Sequence, residues 1–188
     1  LAGVSEDERH TDTAFQAARK RLPWLIILLF LGLITASLIS QFEETLNEVA
    51  VLAIFIPLIA GMAGNTGTQS LAVAVRGLAT GDYEKQGKFK WVLRELGTGV
   101  ITGMTTGIII TIVIFVWQHN LVLGFLVGFS IMASLVVATL AGAFIPMLMH
   151  RLNIDPAVAS GPFITTLNDI ISILIYFGLA TTFMSHLV

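Results

Sequence analysis

The sequence predicts an all-α membrane protein with five transmembrane helices per chain, its N-terminus cytoplasmic and its C-terminus outside. Three observations carry this. Only 12% of the residues are charged and 55% are hydrophobic, against about 25% charged in an ordinary soluble domain. The apolar residues gather in five long runs. All ten Lys and Arg residues fall on one side of the alternating connections between those runs, as expected of segments held in the cytoplasm.

The runs cover Leu22–Phe42, Val49–Val75, Trp91–Trp117, Leu121–Met149 and Pro156–Leu187. A helix needs about 20 apolar residues to cross the hydrocarbon. The first run has that length, and the others are longer, so they tilt, break or project beyond it. Strands are excluded, because an unpaired strand in lipid leaves its backbone groups without partners. The connections Glu43–Glu48, Arg76–Lys90, Gln118–Asn120 and His150–Asp155 are short and predict antiparallel neighbours. Arg9, Arg19, Lys20, Arg21, Arg76, Lys85, Lys88, Lys90, Arg94 and Arg151 share one side. Glu43, Glu44, Glu48, His119 and His186 share the other. Trp24, Trp91 and Trp117 stand at run ends as interfacial anchors.

Residues 1–21 are polar and carry no signal peptide. They are expected to be a cytoplasmic connecting segment with a soluble part upstream, followed by a five-helix pore domain over 22–188. Thr13–Arg21 suits either a short basic helix on the inner surface or a solvated linker. The chain has no cysteine, which excludes disulfides and thiolate metal sites. There is no nucleophile–base pair and no metal-hydrolase motif, so no enzymatic activity and no nucleic-acid partner are expected.

Asp169 is the residue that composition does not explain. It lies in the middle of the fifth run, where a charge is costly and calls for a functional reason. No Lys or Arg lies in the core of any run to pair with it. It is therefore protonated, hydrated in a cavity, or bound to a cation. Thr165, Thr166 and Ser172 lie three or four residues from it and share its helical side, as do Pro162 and Tyr176 at seven. The alternative is an aspartate that serves as hydrogen-bonding glue inside the bundle.

The second run contains Pro57 to Gln69, in which Gly61, Gly64 and Gly67 recur every third residue among Asn65, Thr66, Thr68 and Gln69. Glycines permit close helix packing, or let backbone carbonyls approach an ion. Both readings stand at this point. One carboxylate with amide, hydroxyl and carbonyl oxygens suits a hard cation. Mg2+ keeps several waters and needs few protein ligands. A single aspartate cannot neutralise a dication, whereas two chains about a two-fold axis can, and such homodimers are the commonest oligomers. Gly99, Gly103 and Gly107 predict close packing by the third run. Asp155 is an N-cap before Pro156, and Asp155 or Glu95 is a candidate peripheral cation site.

The segment from Pro57 to Gln69 with its Gly-Asn-Thr-Gly-Thr-Gln core, the Val-Arg-Gly-Leu-Ala-Thr-Gly stretch after it, and Asp155 to Asp169 resemble the MgtE family of magnesium channels. The resemblance runs from Leu22 to the end of the chain. It implies a homodimer with an ion path on the dimer axis, lined by the second and fifth helices of both chains. Asp169 would hold a largely hydrated Mg2+, with Asn65, Gly64, Gln69, Thr165, Thr166 and Ser172 lining the path or supporting it. It also implies upstream cytoplasmic regulatory domains and a bacterial inner membrane as the site of action. Two further readings compete: a proton- or Na+-coupled divalent cation carrier in which Asp169 titrates, and a membrane anchor that conducts nothing.

Overall fold

The computed structural model describes residues 9–81, 87–153 and 161–183. It is all-helical over these residues: α1 (Ala14–Gln41), α2 (Glu43–Glu48), α3 (Leu52–Ala79), α4 (Lys88–Gln118), α5 (Leu121–Arg151) and α6 (Gly161–Thr182). Four of them, α1, α4, α5 and α6, are long and apolar enough to cross a membrane. The chain is a multi-pass membrane protein. The glycine, amide and hydroxyl residues between Gly61 and Ser70 interrupt the apolar run of α3.

α1 starts earlier than its apolar run. Thr13 caps it: its hydroxyl accepts from the Gln16 amide at 3.4 Å, and the Gln16 side chain accepts from the Thr13 amide at 3.0 Å. Such a reciprocal cap fixes a helix start. Pro23 is then accommodated inside the helix, and Arg19–Arg21 become part of its first turns. Asp12 pairs with Lys20 at 2.6 Å, and this hydrogen bond holds the Asp12 carboxyl below its ordinary range.

α4 and α5 form a hairpin closed by His119, whose φ of 52° ends α4, and by Asn120, whose side chain accepts from the Leu123 amide at 2.9 Å. Small residues let their backbones touch. A Cβ at Gly103 would stand 2.8 Å from the Met132 carbonyl oxygen, and one at Gly107 would stand 2.6 Å from that of Gly128. The Thr111 hydroxyl crosses the contact to the Gly124 carbonyl at 3.0 Å. The expected role of Gly99, Gly103 and Gly107 as packing residues is what the structure contains.

α5 is the hub. It packs on α3, α4 and α6, and α3 packs on α5 and α6. Chain neighbours are thus not always the main packing neighbours: α1 lies chiefly along α6. Phe42 stacks on Phe177 with ring centroids 4.8 Å apart, and Trp24 meets Phe163 at 6.2 Å. No residue of α1 is fully buried, so most of its leucines and isoleucines face outward, as a lipid-exposed helix requires.

Two groups of contacts fix how the helices run. At one end, Ala74 of α3, Trp91 of α4 and Ala143 of α5 cluster together, and Phe163 of α6 packs beside Leu71 and Met149. Arg76, Arg94 and Arg151 belong to this end. At the other, Leu52, Ile114, Leu123 and Tyr176 share one apolar cluster. The start of α6 therefore lies beside the ends of α3 and α5 and the start of α4, giving alternating directions through the bundle.

Candidate ion-binding site

α6 meets α3 through a stripe of inward residues: Ile164, Asn168, Ser172 and Tyr176, each four residues after the last. Each residue turns a helix by about 100°. Asp169 directly follows Asn168, so its side chain leaves the stripe and emerges at its edge, where it is partly exposed. Among the described residues, no hydrogen bond or ion pair engages the Asp169 carboxylate. Thr166 is also partly exposed, and its hydroxyl donates to the Pro162 carbonyl at 2.9 Å.

The other residues expected around Asp169 divide between two surfaces. Ser172 is buried, and its hydroxyl donates to the Asp169 backbone carbonyl at 3.0 Å. Tyr176 is buried, and its hydroxyl donates to the Leu52 carbonyl at 2.9 Å. Thr165 lies over Gly64: a Cβ there would stand 2.8 Å from its methyl carbon. The uniformly polar stripe expected from spacing is therefore split. Thr165, Ser172 and Tyr176 serve the α3–α6 contact, while Thr166 and Asp169 reach the open side.

α3 is divided in the same way. Gly64 and Gly67 are buried, whereas Pro57, Gly61, Asn65 and Gln69, four residues apart, are exposed. A Cβ at Gly61 would meet nothing within 4 Å. Gly64 therefore belongs to the helix contact, and Asn65 and Gln69 present amides on a face that the described residues leave uncovered. α3 runs unbroken through all three glycines. Gly64 and Gly67 provide packing, as the first reading of the glycine series has it, and Gly61 leaves open space beside Asn65.

Glu95 is 4% exposed and accepts from the Ser70 hydroxyl at 3.3 Å. It borders a groove of about 410 Å3 with Trp91, Leu140 and Phe144. Asp155, the other residue of the candidate peripheral site, lies outside the described residues. Sequence reasoning passed over Asn168 and Ser70. The signals for them were present: an amide mid-helix beside the aspartate, and a hydroxyl one turn beyond Thr66.

Several long apolar helices, with the Asp169 carboxylate partly exposed and without a partner among the described residues, define a multi-pass membrane protein. Residues 56–179 match the MgtE family, described as divalent cation transporters, and the chain belongs to that family. It is 57% identical over 188 residues to the Magnesium transporter MgtE of Enterococcus faecalis and 48% identical over 187 residues to that of Bacillus subtilis, in each case across 100% of this chain. It is 37% identical over 160 residues, 85% of the chain, to the Magnesium transporter MgtE of Thermus thermophilus. The chain spans 41%, 42% and 35% of the lengths of these relatives.

Proposed function

We propose that this chain is the pore-forming membrane part of a homodimeric transporter that passes Mg2+ across the cell membrane along the dimer axis. The observation that supports this best is the placement of Asp169: a carboxylate partway along a membrane helix, partly exposed and without a protein partner among the described residues. On a lipid-facing surface such a group is costly. On an axis shared with a second chain it faces its own copy across water. Two carboxylates then match the charge of one dication.

α3 is the fifth crossing helix in this reading. Its 28 residues extend about 42 Å at ~1.5 Å per residue, and its exposed Asn65 and Gln69 suit a wet path rather than lipid. The basic end of the bundle is cytoplasmic, which puts the start of α1 inside and the end of α6 outside. The cytoplasmic segment 1–21 then joins the pore domain 22–188 to upstream regulatory domains, and the membrane is a bacterial inner membrane.

The chain's own groups set the ion chemistry. At about 4 Å, opposite unit charges attract by roughly 4 kcal/mol at an effective dielectric of 20. Two carboxylates thus concentrate a dication even with its water shell between them, and Mg2+ retains that shell readily. Asn65 and Gln69 offer neutral oxygens to the waters. Either Glu95 or Asp155 would serve as a peripheral cation site. The test is flux into liposomes under a voltage with no pH or Na+ gradient, comparing Mg2+, Ca2+, Mn2+ and Na+. Voltage-driven Mg2+ entry is the expected result. Entry that requires a proton or Na+ gradient would mark a coupled carrier, and no entry would mark an anchor.

A further inference from the structure

We propose that Asn168 is the positioning residue of the ion site: its amide, seated over Gly67, sets the rotation and depth at which α6 presents Asp169, and so sets the preference for a dication over monovalent ions. This rests on the reading of Asp169 as the ion-holding group.

Asn168 is 1% exposed. Its side chain occupies the space that a Cβ at Gly67 would take, in contact with Nδ2, and Ile164 closes the same seat at 3.0 Å. Nδ2 reaches the Ala63 carbonyl at 3.5 Å. The reversed amide would set two acceptors face to face, so the donor is the end turned toward α3. Gly67 has no freedom to recede, because Gly142 of α5 packs directly on its carbonyl. The seat is therefore anchored to the hub helix.

Asp169 is the next residue, about 100° round the helix. Any rotation of α6 that moves its carboxylate toward or away from the open side must lift Asn168 from this seat. Charged sites need their groups held within roughly 0.5 Å and 10–20°, and no other described contact acts on the Asp169 carboxylate itself.

A second observation points the same way. Asn168 Oδ1 is buried with no hydrogen-bond partner. Buried polar atoms without partners are uncommon, and each calls for an explanation. Leucine has the same branched shape, though it is larger, and would occupy the seat without an unmet acceptor. The amide is therefore placed for its donor and its shape, at the cost of an unmatched oxygen.

The test uses the intact protein in liposomes at matched incorporation, reading thermal stability, half-saturating Mg2+ and the Mg2+/Na+ flux ratio. Asn168→Leu is expected to fold normally yet lose about tenfold in the flux ratio, the equivalent of about 1.4 kcal/mol, with a raised half-saturating Mg2+. Gly67→Ala, which displaces the amide, should give the same loss. Adding Asn168→Ala to Gly67→Ala should restore stability without restoring selectivity. Should Asn168→Leu fail to fold, that double variant provides the readout. Wild-type selectivity and half-saturation in whichever of these variants folds would overturn the proposal, even with altered stability. Asp169→Asn belongs in the same series. If it conducts normally, the underlying site assignment fails. If it loses selectivity while the Asn168 and Gly67 variants keep theirs, only the positioning role fails.

Discussion

The Tyr176 hydroxyl on α6 donates to the carbonyl of Leu52, the first residue of α3, at 2.9 Å. The two residues stand at the end of the bundle opposite the arginines, so this bond closes the α3–α6 contact that Asn168 and Gly67 make further along. Hydrogen bonds between membrane helices are worth about 0.6 kcal/mol on average and up to about 1.7. Tyr176→Phe is expected to lower stability by that order while leaving the flux of the folded protein unchanged. Thermal unfolding in detergent with parallel flux measurement checks this. A flux defect at unchanged stability would contradict a purely structural role.

The α4–α5 contact gives a steeper expectation. The Gly107 Cα faces the Gly128 carbonyl so closely that a Cβ would stand 2.6 Å from its oxygen. Backbone has little room to yield, and overpacking costs about 1–3 kcal/mol. Gly107→Val should sharply reduce thermal stability and folded yield. Gly97→Val on the same helix meets nothing within 4 Å and should be tolerated. Equal behaviour of the two variants would show that the hairpin packing is not as described.

Neighbouring residues of α3 are expected to separate packing from permeation. Gly64 is covered by Thr165, while Asn65 is exposed. Gly64→Val should lower stability. Asn65→Leu should leave stability intact and reduce Mg2+ flux several-fold, the loss of about 1 kcal/mol of polar contact. Normal flux in folded Asn65→Leu would remove Asn65 from the path.

The dimer is testable without background labelling, since the chain has no cysteine. Cysteine placed at Thr166, on the partly exposed side of α6, should cross-link between chains under oxidation. Cysteine at Ile109, exposed on α4, should not if that face meets lipid. Absence of cross-linking at Thr166 in a protein that conducts would count against an axial path.

Much of this arrangement was legible in the sequence because membranes constrain it heavily. Apolar run length marked α1, α4, α5 and α6, and the Gly99, Gly103 and Gly107 spacing marked the hairpin contact. Asp169 stood out because a charge without a partner is rare at that depth. The rotation of each helix was not legible. Spacing grouped Thr165, Ser172 and Tyr176 with Asp169, but each can satisfy its hydroxyl on a nearby carbonyl and turn inward, which a carboxylate cannot do. The roles of Gly64 and Gly61 likewise depend on which side α6 occupies, and that is set by packing on α5 rather than by the α3 sequence. The early start of α1 came from the Thr13–Gln16 cap, with Pro23 accommodated inside the helix.

The most direct test of the central claim is Asp169→Asn in liposomes, with Mg2+ flux and Mg2+/Na+ selectivity measured at matched incorporation. The substitution preserves size and hydrogen-bonding capacity and removes only the charge. Loss of an attraction of roughly 4 kcal/mol per charge pair should cut Mg2+ flux and selectivity by at least about tenfold without loss of folding. If the carboxylate served only as packing glue, the amide would replace it. Near-wild-type flux and selectivity in Asp169→Asn would contradict the assignment of Asp169 as the ion-holding residue.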